Sequence, residues 1–210
     1  MKFESRSEAG QLLAKKLKKF AEDSVVFAIP RGGVVVGAEI AKEFKCSLDV
    51  IIVRKIGAPG NPELAIGATT SNGDIVLDRD LIDNLGVTQK YIHDEHKIQL
   101  TEARRRKKLY TTGENTALAG RKVILVDDGI ATGATIEAAI HSVRESKPQK
   151  IILAAPVATV RLIGKLKNIV EDVVVLISPE SFWAIGEFYS SFPQVSDEEV
   201  IKLLKKTNQR

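Results

Sequence analysis

A single cysteine, Cys46, stands in a chain of 210 residues. One thiol excludes an intramolecular disulfide and leaves no basis for a cysteine zinc site. Placed between an amphipathic stretch and an apolar one, Cys46 reads as a buried structural thiol. Aromatics are also scarce, with seven Phe, three Tyr and one Trp, so the core must be packed from Val, Ile, Leu and Ala. No run of 18 apolar residues occurs, so nothing reads as a membrane-spanning helix. The N-terminus alternates Lys, Glu and Ser with apolar residues and does not read as a secretion signal. A cytoplasmic location is the expectation. The formal charge of +4 suits an anionic ligand, a nucleic-acid surface or plain solubility equally well, and decides nothing.

What is present is a regular alternation. Ser5 and Glu8 predict a capped helix over 5–21, with Ala9, Leu12, Leu13, Leu17 and Phe20 at helical spacing. Short apolar strands are predicted at 24–29, 48–53, 123–127, 150–155 and 172–177, with helices at about 33–44, 134–146 and 159–168. Gly57 to Pro62 reads as a mobile loop. Asn72-Gly73 reads as the turn of a hairpin between 65–70 and 74–77. Residues 79–114 form a charged helical pattern, and Ser196 with Glu199 opens a last capped helix. This spacing of strands and helices predicts an α/β fold, a mainly parallel sheet flanked by helices. One domain over 1–210 is expected, with a core at about 22–178, a helical insertion at about 79–118 and a C-terminal cap at about 179–210.

The chemistry concentrates in Val123-Ile-Leu-Val-Asp-Asp-Gly-Ile-Ala-Thr-Gly-Ala-Thr135. A strand delivers Asp127 and Asp128 to its carboxyl end, where open α/β sheets bind ligands. Gly129, Ile130, Ala131, Thr132, Gly133, Ala134 and Thr135 then lead into a helix whose unpaired N–H groups can cradle an anion. No Lys precedes the terminal Thr, so this is not a Walker A loop. Two carboxylates beside the cradle would repel a triphosphate chain but suit a ribose 5-phosphate. The loop takes the phosphate, while the carboxylates accept bonds from sugar hydroxyls and favour positive charge at the anomeric carbon. A second candidate is Ile29-Pro-Arg-Gly-Gly33, where Gly32 and Gly33 let backbone N–H groups approach an anion and Arg31 offers a planar fork. Arg54 and Lys55, ahead of the Gly/Pro stretch, place two cations at a strand end beside a segment able to close.

The acidic pair followed by Thr-Gly-x-Thr resembles the phosphoribosyl pyrophosphate signature of the type I phosphoribosyltransferases, and Pro-Arg-Gly-Gly resembles that family's pyrophosphate loop. The resemblance covers most of the chain, with the helical insertion as a departure. It implies a phosphoribosyltransferase-type core with a C-terminal hood. It also implies transfer of the phosphoribosyl group to a nucleobase or related nitrogen acceptor, with release of pyrophosphate and Mg²⁺ as cofactor. Asp127, Asp128, Arg54 and Lys55 would be catalytic, Arg31, Gly32 and Gly33 would bind pyrophosphate, and a non-proline cis peptide would precede Gly32. No dedicated protein cluster for the metal is expected. The alternative is a regulator of the same fold that senses phosphoribosyl pyrophosphate and binds nucleic acid, although no appended helix-turn-helix is visible.

Three segments carry weaker signals. Arg104-Arg-Arg-Lys-Lys108 reads as a solvated helix face, and His93 with His96 as a surface pair without zinc-hydrolase spacing. Residues 182–192 hold five of the aromatics. They are either the hood that selects the acceptor, through Phe182, Trp183 and Glu187, or a packing knot or dimer interface. Phosphoribosyl pyrophosphate and a nitrogenous acceptor are the expected partners, with neither membrane nor nucleic acid, and a homodimer is allowed.

Overall fold

The helix predicted at the N-terminus begins as its cap implies: Ser5 Oγ accepts the N–H of Glu8 at 3.3 Å and α1 runs over Arg6–Leu17. In the computed structural model, which describes residues 2–111, 118–131 and 133–209, β1 (Ser24–Ala28), α2 (Gly32–Phe44) and β2 (Leu48–Val50) follow. The chain then builds β3 (Val53–Ala58), β4 (Asn61–Thr70), β5 (Ile75–Leu77), α3 (Arg79–Leu85) and α4 (Gln89–Tyr110). It returns through β6 (Lys122–Val126), α5 (Gly133–Glu145), β7 (Lys150–Val157), α6 (Val160–Leu166), β8 (Asp172–Ile177) and α7 (Asp197–Asn208). Among the described residues no helix is long and apolar enough to cross a membrane.

The central sheet has the order β2-β1-β6-β7-β8, and every pairing in it is parallel. Both faces are covered, which is why its strands read as continuous apolar runs. Val26, Ala28, Ile124 and Val126 face α1 and α2, while Val25, Phe27, Val123 and Leu125 pack with Ile136, Ala139 and Ile140 of α5. The α/β architecture expected from the sequence is the one observed.

Two local expectations are corrected. The strand predicted at 48–53 splits: β2 ends at Val50, and β3 begins in a separate antiparallel sheet, β3-β4-β5. Gly57–Pro62 is not a loop but the far end of the β3–β4 hairpin, where Ala58 pairs with Asn61 through a register shift. Gly57 makes this closure feasible, since a Cβ there would lie 2.7 Å from the Pro62 backbone. The Asn72-Gly73 turn joins β4 to β5 as expected, with Thr69 opposite Ile75. Ile56, Ile66, Ile82 and Ile92 join this small sheet to α3 and α4 in a core of their own.

The C-terminal segment divides in space. Phe3 forms a bridge with Tyr189, its N–H bonding to the Phe188 carbonyl at 2.8 Å, so the aromatic stretch lies against the N-terminus. α7 instead covers the outer strand: Asn208 bonds both the N–H and the carbonyl of Leu48, and Val200 and Leu204 are buried beside α2. Cys46 is half-buried against that same cluster, rather than fully enclosed.

Candidate active site

Two neighbouring strands carry the two candidate loops. Ala28 of β1 pairs with Val126 of β6, and Ile29 N–H continues the ladder to the Val126 carbonyl at 2.8 Å. Pro30–Gly33 and Asp127–Gly129 therefore emerge side by side at the carboxyl edge, the usual ligand-binding edge of such a sheet. Contact between them is direct. A Cβ on Gly32 would overlap the Asp128 carboxylate, and one on Gly33 would stand 2.9 Å from the Val126 carbonyl. Glycine is required at both positions by the closeness of the second loop. The non-proline cis peptide lies between Pro30 and Arg31, one residue earlier than the resemblance implied.

The two carboxylates differ in surroundings. Asp128 is 8% exposed; its Oδ2 meets Arg6 Nε at 2.6 Å and its carbonyl accepts the Tyr189 hydroxyl at 2.6 Å. Asp127 is half-buried, less enclosed than Asp128 as a residue although its carboxyl is shielded from water, and its Oδ1 accepts the Asp128 N–H at 2.8 Å. Burial, and next the charge of Asp128, push the Asp127 carboxyl well above the usual carboxylate range. Downstream, Ile130 N–H bonds the Val157 carbonyl at 2.8 Å, fastening the loop to β7 before α5 begins at Gly133. Thr132 lies outside the described residues, as do 112–117 of the expected insertion.

The remaining expected site residues are placed as follows. Arg31 precedes α2 and its Nη1 is 3.8 Å from Asp197, with both side chains about one-third exposed. Asp197 also accepts the hydroxyl of buried Tyr110. Arg54 lies on β3, bonds Gln99 of α4 at 2.9 Å, and has its pKa lowered by burial and then by Arg106. Lys55 is exposed on the same strand. Among the described residues no hydrogen bond or ion pair joins either cation to the acidic pair; both belong to the hairpin that α4 covers. In the aromatic stretch, Glu187 Oε1 accepts the N–H groups of Trp183 and Ala184 at 3.0 and 2.7 Å. Phe182 packs edge-on against Phe188, and Trp183 is 98% exposed. Ile185 lies over Gly129, its Cγ2 2.5 Å from where a Cβ would be.

The weaker candidates resolve into helix contacts. Arg105 and Arg106 both pair with Glu102, whose carboxyl these bonds lower to about 2, and Lys107 bonds Asn72. His96 Nε2 lies 3.0 Å from the buried Thr69 hydroxyl, so it is a half-buried docking residue more than a surface one.

Arg6 is the residue that the sequence reading missed. Its Nη1 bonds the Pro193 carbonyl at 2.7 Å and its guanidinium lies 3.6 Å from the Phe192 ring centroid. One signal was available. A cation in the first turn of a helix opposes the helix dipole, and Arg6 opens α1 directly after the cap.

Paired glycine-rich turns around an acidic pair, at the carboxyl edge of a parallel sheet, make up the candidate site of this α/β domain. Comparison with known proteins makes this specific. Residues 4–192 match the family described as phosphoribosyl transferase domain, and the chain belongs to that family. The crystal structure of TT1426 from Thermus thermophilus is 40% identical, covers 98% of this chain and 99% of its own, and superposes with a TM-score of 0.83. A purine phosphoribosyltransferase from Pyrococcus horikoshii, 18% identical over 91% of this chain and 92% of its own, shares the fold with a TM-score of 0.50. Two Mycobacterium tuberculosis proteins, provisionally named phosphoribosyl transferases, are 37% identical over 208 residues. That alignment spans 98% of this chain and 47% of theirs, so the chain spans about half the length of these curated relatives.

Proposed function

We propose that the protein transfers the 5-phosphoribosyl group of phosphoribosyl pyrophosphate to a nitrogenous acceptor such as a nucleobase. The observation that carries this reading is the abutment of Gly32 on the Asp128 carboxylate, which sets an anion-binding turn against a sugar-binding acidic pair. The acceptor nitrogen attacks the anomeric carbon, the bond from that carbon to pyrophosphate oxygen breaks, and pyrophosphate leaves with the electron pair; the nitrogen then releases its proton. Gly129 to Thr135 and the start of α5 hold the 5-phosphate. Gly32, Gly33 and the N-terminus of α2 receive the departing pyrophosphate, with Arg31 turning from Asp197 to meet it. The acidic pair Asp127-Asp128 binds the ribose hydroxyls and favours positive charge on the ribose as the bond lengthens, Asp127 from the more open position. Arg54 and Lys55, carried on the β3–β4 hairpin, would close on the departing pyrophosphate.

Among the described residues no cluster of three or more His, Cys, Asp or Glu is placed to hold a metal ion. Two carboxylates beside a pyrophosphate turn fit Mg²⁺ carried in by the substrate, since this ion keeps few protein ligands when phosphates supply its oxygens. Bound there, it would neutralise the leaving group. Phe182, Trp183 and Glu187, on the stretch whose Ile185 lies over Gly129, are the proposed acceptor hood, and the exposed Trp183 ring is available for stacking. The test is a screen of nucleobases with phosphoribosyl pyrophosphate and Mg²⁺, read by pyrophosphate release. Release that depends on one base supports the proposal; no release with any base, and no binding of phosphoribosyl pyrophosphate in calorimetry, refutes it.

A further inference from the structure

We propose that Arg6 is a positioning residue for the sugar-binding carboxylates: it neutralises and orients Asp128, leaving Asp127 as the carboxylate that meets the ribose. This inference rests on the reading of the acidic pair given above.

Four segments converge on Arg6. The start of α1 supplies the guanidinium, β6 leads to Asp128, α2 begins at Gly32, and the stretch after β8 provides Phe192 and Pro193. Nε takes Asp128 Oδ2 at 2.6 Å, Nη1 takes the Pro193 carbonyl at 2.7 Å, and the flat face lies 3.6 Å from the Phe192 centroid. Arg6 is itself 8% exposed. A Cβ on Gly32 would stand 2.8 Å from Arg6 Nε as well as within the Asp128 carboxylate, so no water fits between the pair and the turn. Tyr189 fixes the same residue through its carbonyl.

Two adjacent carboxylates in a half-buried edge cannot both ionise cheaply. A dedicated cation on one of them fixes that one in place, and leaves the other to exchange solvent for substrate hydroxyls. Asp128 is held on its Oδ2 and its carbonyl, and is the more buried of the two. Asp127 has the more open face. Arg6 also brings positive charge near the phosphates, and that general effect must be separated from action through Asp128.

A charge-neutral cycle separates them. Binding of ribose 5-phosphate and of pyrophosphate is measured by calorimetry for the 210-residue chain, Arg6→Gln, Asp128→Asn, the double variant and Arg6→Lys, alongside their melting temperatures. Arg6→Gln is expected to weaken ribose 5-phosphate by about tenfold, while pyrophosphate changes by no more than about twofold. The double variant, with neither charge, is expected to bind ribose 5-phosphate more tightly than Arg6→Gln, and Arg6→Lys to lie between Arg6→Gln and the unmodified chain. Additive losses in the double variant, or equal losses for the two ligands, overturn the role of Arg6. If Arg6→Gln does not fold, the double variant is compared with Asp128→Asn, and binding weaker than that of Asp128→Asn overturns the inference. An unmodified chain that binds neither ligand overturns the proposed function itself, and this inference falls with it.

Discussion

The Tyr189 hydroxyl offers a clean perturbation, because removing it leaves the rest of the side chain in place. The ring packs against Phe3 at 5.4 Å and Phe192 at 4.9 Å between centroids, and both contacts survive in Tyr189→Phe. Only the bond to the Asp128 carbonyl is lost, at 2.6 Å and between buried groups. An acceptor left unpaired out of reach of water costs about 1–3 kcal/mol. For a chain of this size each kcal/mol lowers the melting temperature by about 2–4 °C, so a fall of about 2–12 °C is expected. Chemical denaturation checks the energy and scanning calorimetry the temperature. Tyr189→Ala, which also removes the ring, should lose about 3–5 kcal/mol. Because the lost bond holds the backbone of the acidic pair, ribose 5-phosphate affinity should fall in the Phe variant even where the protein is fully folded. A Phe variant as stable as the parent, with unchanged affinity, would refute the view that the aromatic stretch secures the site.

Three further outcomes are expected. Asp127 has a raised carboxyl pKa in the folded chain, so the folded state holds a proton more tightly than the unfolded one and stability falls as pH rises from about 4 through the folded value. Asp127→Asn should therefore melt higher than the parent at pH 7, lose that advantage near pH 4, and bind ribose 5-phosphate about tenfold more weakly; an Asn variant less stable at pH 7 contradicts the sign. Gly32→Ala drives a methyl into Asp128 and Arg6 and should cost about 1–3 kcal/mol, with ribose 5-phosphate binding lost; normal binding would mean that the loops are not in contact. His96 has its pKa lowered by burial, then by His93 and Arg104, so the unfolded chain takes up a proton first and stability should fall as pH drops below about 6.5. Denaturation from pH 7.5 to 5 should show a shallower decline in His96→Asn, and parallel curves would refute the assignment.

The parallel core was legible because strands covered on both faces need continuous apolar runs, and each run here is punctuated by Gly, Pro or a polar cap. Val123–Val126 and Ile151–Ala155 carry that pattern unambiguously, and the Ser5 and Ser196 caps mark helix starts. The acidic pair could be placed because its strand end and following helix are local. The β3–β4 hairpin was misread for the opposite reason. Gly57, Pro59, Gly60 and Pro62 look like a loop to any local rule, and only the pairing of Ala58 with Asn61 puts Gly57 and Pro62 in strands and shrinks the turn to Pro59-Gly60. The neighbours of Arg6 lie 122 and 187 residues away. Nothing local announces such partners, apart from a basic residue where a helix start favours an acid.

That misplaced cation and the cluster of scarce aromatics have one explanation in common. A buried ion pair gains little over an apolar pair of equal volume, since each charge loses its water. Stability alone is a weak reason for Arg6 to oppose the dipole of its own helix. The surroundings reduce its cost: Phe192 covers the guanidinium face, the Pro193 carbonyl takes a second N–H, and Tyr189 closes the other side of Asp128. Much of the aromatic stretch is thus spent enclosing one charge beside the acidic pair. Trp183 stands apart, 98% exposed on a turn whose N–H groups Glu187 accepts. Within a single short stretch, Tyr189 is buried against the site and Phe192 covers Arg6 with one face, while the ring proposed to meet the acceptor is the one that packing leaves almost wholly exposed.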